Sequence, residues 1–62
     1  MSNLVHIEAQ TSGGTWIKVS ECANRGPIIK QVFDAHIKTG MYSKFRAIDP
    51  VTKSLIDMAF KT

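Results

Sequence analysis

The side chains that could carry out catalysis are few in this sequence. Cys22 is the only cysteine, and His6 and His36 are the only histidines. A nucleophilic cysteine needs an adjacent base and an electropositive, partly open setting, and the residues around Cys22 give no sign of either. The five acidic residues are scattered and form no acid/base pair. We therefore predict that the protein is not an enzyme and that Cys22 acts as a small apolar residue.

Metal and phosphate binding are the other chemistries that these residue types allow. Cys22, His6 and His36 could supply three zinc ligands, but their spacing matches no recurrent zinc motif, and a fourth ligand would have to be a carboxylate. The pair Gly13-Gly14 lacks the further glycines and the Lys-Ser/Thr of a nucleotide-binding loop, so it is typical of a hairpin turn. We expect no metal and no small-molecule cofactor.

The first part of the chain has the pattern of a β-hairpin. From Leu4 to Gln10, apolar and polar residues alternate as they do in a half-buried strand. Turn residues follow at 11–14, and a second alternating stretch runs from Thr15 to Ser20. Trp16 falls on the polar face of this second strand, because side chains alternate across a strand.

The hairpin is followed by a helix. Pro27 suits the first helical turn, where its missing N–H needs no partner, and Gly26 or Asn24 is the expected N-cap. The apolar residues between 28 and 37 recur with helical spacing, and Gly40 is the expected stop. His36 lies near the centre of the apolar stripe, so we expect a neutral, hydrogen-bonded histidine at the edge of the core.

The last part of the chain predicts a second hairpin. Residues 44–49 and 54–61 have strand character, and Asp49-Pro50 between them favours a tight turn. Alternation sorts the last strand into two faces, and we assign Ile56, Met58 and Phe60 to the buried face. The other face carries Leu55, Asp57 and Ala59.

These elements follow in the order β-β-α-β-β. This order predicts an α+β fold, a four-stranded antiparallel sheet with one helix packed on one face, in a single domain spanning residues 1–62. The order of the strands within the sheet is left open. We expect the core to contain Val5, Ile7, Ile17, Val19, Ile29, Val32, Phe33, Ile37, Phe45, Ala47, Ile56, Met58 and Phe60.

One helix covers one face of such a sheet and leaves the other face open. Alternation places on that face the single tryptophan, several cations and some bulky apolar groups, namely His6, Glu8, Trp16, Lys18, Lys44, Arg46, Ile48, Leu55 and Asp57. Tryptophan and arginine are enriched in interface hot spots, and an aromatic ring beside cations also stacks nucleic-acid bases. Our candidates for partner binding are Trp16, Lys18, Lys44, Arg46 and His6.

The candidate surface has three interpretations. In the first, Trp16 only packs at the edge of the sheet, with Arg46 over its ring as a cation–π pair. In the second, the face binds a protein, including a second copy of the chain. In the third, it binds single-stranded nucleic acid weakly, against which the net charge of +3 without a basic cluster argues.

The composition is that of a globular domain in a reducing compartment. Hydrophobic residues at 44 % and charged residues at 21 % argue against disorder. A chain of 62 residues buries only about 60 % of its surface, so a dimer would add stability. The single cysteine allows no intrachain disulfide, and we read no leader and no bilayer-spanning stretch. We expect a cytoplasmic protein without a membrane partner.

Three stretches carry a resemblance to known proteins: Gly-Thr-Trp-Ile-Lys-Val, Phe-Arg-Ala-Ile-Asp-Pro and Leu-Ile-Asp-Met. Together with the helix among them, the segment from Gly14 to Phe60 resembles small uncharacterised single-domain proteins of phages and bacteria. The resemblance names no activity and implies an accessory or host-modulating interaction. We therefore expect a non-enzymatic binding module that acts through protein–protein contacts or as a homodimer, with single-stranded nucleic acid as the alternative partner.

Overall fold

A computed structural model describes residues 3–61 of the chain. Its elements are β1 (Leu4–Gln10), β2 (Trp16–Ala23), α1 (Gly26–Thr39), β3 (Lys44–Ile48) and β4 (Leu55–Phe60). The four strands form one antiparallel sheet in the order β2-β1-β3-β4, so β2 and β4 are the edge strands. The predicted α+β class and element order are confirmed, and the structure supplies the strand order.

The first hairpin forms where alternation predicts it. The Thr11 N–H donates to the Thr15 carbonyl over 2.8 Å, and Gly14 takes a φ of 88°, which a residue with a Cβ adopts only at a cost. β2 continues beyond the predicted end at Ser20. A bulge at Val19 absorbs one extra residue of β2, and pairing with β1 then resumes as far as Ala23.

The helix begins one residue away from the predicted caps. Arg25 is the N-cap, with extended backbone and no side-chain cap, so the assignment to Gly26 or Asn24 was wrong. The Arg25 carbonyl accepts the first helical hydrogen bond from the Ile29 N–H, and Pro27 removes one of the donors that a capping side chain would serve. The predicted stop is confirmed, since Gly40 has a φ of 72° and donates its N–H to Ile37.

The core lies between α1 and the sheet, centred on Phe45. This ring is fully buried and lies 6.4 Å from Phe33, 5.9 Å from His36 and 6.3 Å from Tyr42, measured between ring centroids. The buried cluster comprises Val5, Ile7, Ala9, Ile29, Phe33, Phe45 and Ala47. The predicted core residues Val19, Val32 and Ile37 pack against this cluster while partly buried, and Ile17 is half-buried.

β4 lies in the opposite phase to the one predicted. Ile56, Met58 and Phe60 were assigned to the core, and they are 41 %, 39 % and 54 % exposed. Ala59 pairs with Phe45 and Asp57 pairs with Ala47, so these two smaller side chains occupy the helix side of the strand.

The phase of β4 follows from the second turn and a bulge. The Asp49 carboxylate accepts the Val51 and Thr52 N–H groups, and Lys53 takes a φ of 65° before the Asp49 N–H closes onto the Ser54 carbonyl. A further register shift in β4 leaves Ile56 as the extra residue. The extra residue moves every side chain after it to the other face of the strand, which is why the assignments of Ile56, Met58, Phe60, Asp57 and Ala59 were wrong together, while that of Leu55 was right.

Candidate interaction surface on the open sheet face

The sheet face away from α1, called the open face here, carries side chains from all four strands. Cross-strand pairing arranges them in rows. The central row, read from β2 to β4, is Lys18, Glu8, Arg46 and Met58. The row on one side of it is Glu21, His6, Ile48 and Leu55. On the other side, Trp16 pairs with Gln10, and Lys44 pairs with Phe60. All five predicted partner-binding residues therefore lie on this face, whereas Asp57 lies on the helix side.

Trp16, Arg46 and Glu8 form a connected cluster on the open face. The guanidinium carbon of Arg46 lies 4.2 Å from the centroid of the Trp16 ring, and Arg46 Nε donates to Glu8 Oε1 over 2.7 Å. The Arg46 and Glu8 side chains are 31 % and 22 % exposed, so water screens the ion pair only in part. One side of the indole is thus covered by a cation whose own charge is compensated.

The remaining candidates lie around this cluster without joining it. Lys18 Nζ lies 3.2 Å from Glu21 Oε1, and both side chains are nearly half exposed, so the pair contributes little to stability. Lys44 is exposed and forms no ion pair with any residue of the described stretch 3–61. His6 is half-buried in the row between Glu21 and Ile48. Three cations and two carboxylates leave the open face with one net positive charge.

A group of exposed apolar side chains occupies the β3–β4 half of the open face. We call this group the apolar patch, and it consists of Ile48, Leu55, Met58 and Phe60. Leu55, Met58 and Phe60 are 55 %, 39 % and 54 % exposed, and Ile48 is half-buried beside them. Sequence reasoning missed Met58 and Phe60 because both phases of β4 contain apolar residues, so alternation alone could not choose between them.

The groups considered for catalysis are packed in the core or spread apart. Burial raises the pKa of the Cys22 thiol, which lowers its reactivity, and the His36 ring packs against Phe45. Across residues 3–61, no three His, Cys, Asp or Glu side chains converge closely enough to hold a metal ion. Two open hollows flank the sheet, one beside Arg25 and Asp49 and one beside Tyr42, and His36 lines neither of them.

The structure also shows whether a helix of this chain could span a membrane. In the described part of the chain, no helix is long and apolar enough to cross a bilayer, and α1 has 14 residues.

Comparison with known proteins identifies no relative of this chain. No protein-family profile, no curated protein and no solved structure matches this chain. Of what the resemblance implied, the structure shows only the β-β-α-β-β order of elements in this chain.

Proposed function

We propose that this protein is a non-enzymatic interaction module that forms a homodimer through the apolar patch. The observation that carries the proposal is the exposure of Leu55, Met58 and Phe60 side by side on an edge strand and along one face. Contiguous apolar groups on a small protein mark contact surfaces, and the gain from removing them from water is about 25 cal/mol for each Å² buried.

Self-association would also compensate for the small hydrophobic core. Only seven apolar residues of the described stretch are buried, and two of these are alanines. A domain of this length gains little stability from one core, and oligomerisation is a common remedy. A second copy that packs beside the patch along β4 would bury part of the Met58 and Phe60 side chains, which are of the aromatic and thioether kinds enriched in interfaces.

The Trp16 cluster supports protein as the partner over single-stranded nucleic acid. Base stacking needs a free aromatic face, and Arg46 already lies over the indole. Phosphate binding needs uncompensated cations, and two of the three cations on the open face are paired with Glu8 and Glu21. Nucleic-acid binding would require these pairs to open first.

Sedimentation of matched variants tests the proposal. Phe60→Lys places a charge in the apolar patch, and Val51→Lys places the same charge on an apolar residue that is 75 % exposed in the second turn. From about 5 µM to about 1 mM, we expect the unaltered protein and Val51→Lys to change from monomer to dimer and Phe60→Lys to stay monomeric. A monomeric unaltered protein throughout that range, or equal behaviour of the two variants, would contradict the proposal.

The biological setting that we propose is a phage or bacterial cytoplasm, where the protein has an accessory role. This part extends the expectation drawn from the three sequence stretches, and its support in the structure is the half-buried Cys22, a single cysteine that suits a reducing compartment. Co-purification from a bacterial host tests it. We expect a host protein that is retained by the unaltered chain and lost with Phe60→Lys. Retention of nucleic acid, with quenching of Trp16 fluorescence by an oligonucleotide, would instead favour the alternative.

A further inference from the structure

The outer edge of β4 carries backbone groups that pair with no strand of the sheet. The Lys61 N–H donates to the Ser43 carbonyl on the β3 side over 2.8 Å. Backbone groups alternate in direction along a strand, so Asp57, Ala59 and Lys61 point their N–H groups toward β3, and Met58 and Phe60 point theirs outward. The Met58 N–H accordingly donates to the Asp57 carboxylate and to no strand. An exposed edge of this kind is a template for another strand.

Two opposite charges lie along this edge on the helix side of the sheet. Asp57 pairs with Ala47 on that side, and Lys61 follows Ala59 at the same phase. Neither Asp57 nor Lys61 forms an ion pair with another residue of the stretch 3–61. The edge therefore carries an acid at one end and a base at the other, four positions apart, and neither has a partner of opposite charge in the stretch 3–61.

We propose that β4 pairs antiparallel with β4 of a second copy, with the two-fold axis at Ala59, so that two sheets join into one of eight strands. This inference rests on the proposed homodimer and specifies its geometry. The pairing sets Asp57 opposite Lys61 of the second copy, twice by symmetry. It sets Met58 opposite Phe60 of the second copy, a favourable sulfur–aromatic contact on the open face. The Met58 N–H passes to the carbonyl of that Phe60, which frees the Asp57 carboxylate for Lys61.

Charge selects this register over its neighbours. An axis at Asp57 would place two carboxylates directly opposite each other, which destabilises a strand pair. An axis at Met58 would place Asp57 opposite Ala59 and leave both charges without a partner. Of these three positions, only the axis at Ala59 places both charges opposite a partner of opposite sign. It also uses the outward N–H groups of Met58 and Phe60 and avoids the bulge at Ile56.

Disulfide trapping tests the position of the axis. In a Cys22→Ala background, Ala59→Cys places two thiols in a non-hydrogen-bonded pair, whose Cα atoms lie about 4.5 Å apart, within the span of a disulfide. Val51→Cys is the control, because Val51 is more exposed than Ala59 and lies away from β4. We expect Ala59→Cys to form covalent dimers at least about tenfold faster than the control, since the axis holds its thiols together.

Charge exchange tests the register independently. Asp57→Lys and Lys61→Asp each place like charges opposite each other, so each should weaken the homodimer at least about tenfold. The double variant, and a mixture of the two single variants, should restore dimers, because opposite charges then meet again. Dimers that sediment normally but neither trap at Ala59 nor respond to charge exchange would overturn this inference and leave the proposed function standing. A protein that never dimerises would overturn both.

Discussion

Phe45 and Phe60 provide a matched test of the phase of β4, because they lie on neighbouring strands and on opposite faces. Phe45 is fully buried, and Phe60 is 54 % exposed. Truncation of a buried phenylalanine to alanine costs about 3–5 kcal/mol, whereas a side chain that is about half buried forfeits roughly 1 kcal/mol. The total stability of a domain of 62 residues is about 3–9 kcal/mol. Phe45→Ala should therefore remove most of the free energy of unfolding, and Phe60→Ala only a small part.

Urea unfolding followed by circular dichroism measures this difference. The protein is kept below about 5 µM, so that dimer formation does not contribute. With a slope near 1 kcal/mol per molar urea, Phe60→Ala should shift the midpoint by about 1 M, and Phe45→Ala by about 3 M or to an unfolded protein. Equal shifts, or a larger shift for Phe60→Ala, would mean that Phe60 belongs to the core, as the sequence pattern alone predicted, and would refute the register described above.

Three further predictions follow from single features of the fold. Gly40→Ala places a Cβ at a φ of 72° and should cost about 1–2 kcal/mol by urea unfolding, whereas Gly26→Ala, with open space around it, should leave the stability nearly unchanged. Arg46→Met removes the cation–π contact and the ion pair, so it should cost about 1 kcal/mol and make Trp16 fluorescence more sensitive to acrylamide; unchanged quenching would contradict the stacked arrangement. Because burial raises the pKa of Cys22, the thiol of the unfolded chain loses its proton at lower pH than the thiol of the folded protein. The free energy of unfolding should therefore fall as pH rises past about 8.5, and in Cys22→Ala this fall should be smaller.

The sequence predicts the elements well because their local signals agree with one another. Alternation from Leu4 to Gln10 coincides with β1, and the change to helical spacing after Pro27 coincides with α1. Gly40 supplies a conformation that other residues adopt only at a cost, so the end of the helix is visible in the sequence. These features depend on neighbours in the chain, and one sequence is enough to read them.

The register and the strand order depend on contacts between distant residues. The phase of β4 is set by the turn at Asp49 and by the bulge at Ile56, and neither can be read from the alternation of Leu55 to Phe60. Strand order follows from the side of β1 on which β3 docks after the helix, which no local pattern encodes.

The candidate site was predictable in part for the same reason. Trp16 and Arg46 were placed on the open face from the phases of β2 and β3, and the cation–π contact between them, part of the first interpretation of the surface, is present in the structure. The apolar patch depends on β4, so only Ile48 and Leu55 of its four members were placed correctly. The candidate contact surface therefore consists mainly of the apolar groups along β4, rather than of the cations on β2 and β3 that the sequence suggested.

A dilution series of amide NMR spectra tests most directly whether the apolar patch is the contact surface. Between about 1 mM and about 20 µM protein, we expect amide shifts to change at Ile48, Leu55, Met58 and Phe60 and to stay constant at Val51. Shifts that remain constant at all of these residues, or that change only around Val51 and the outer side of α1, would show that the chain associates elsewhere or does not associate with itself.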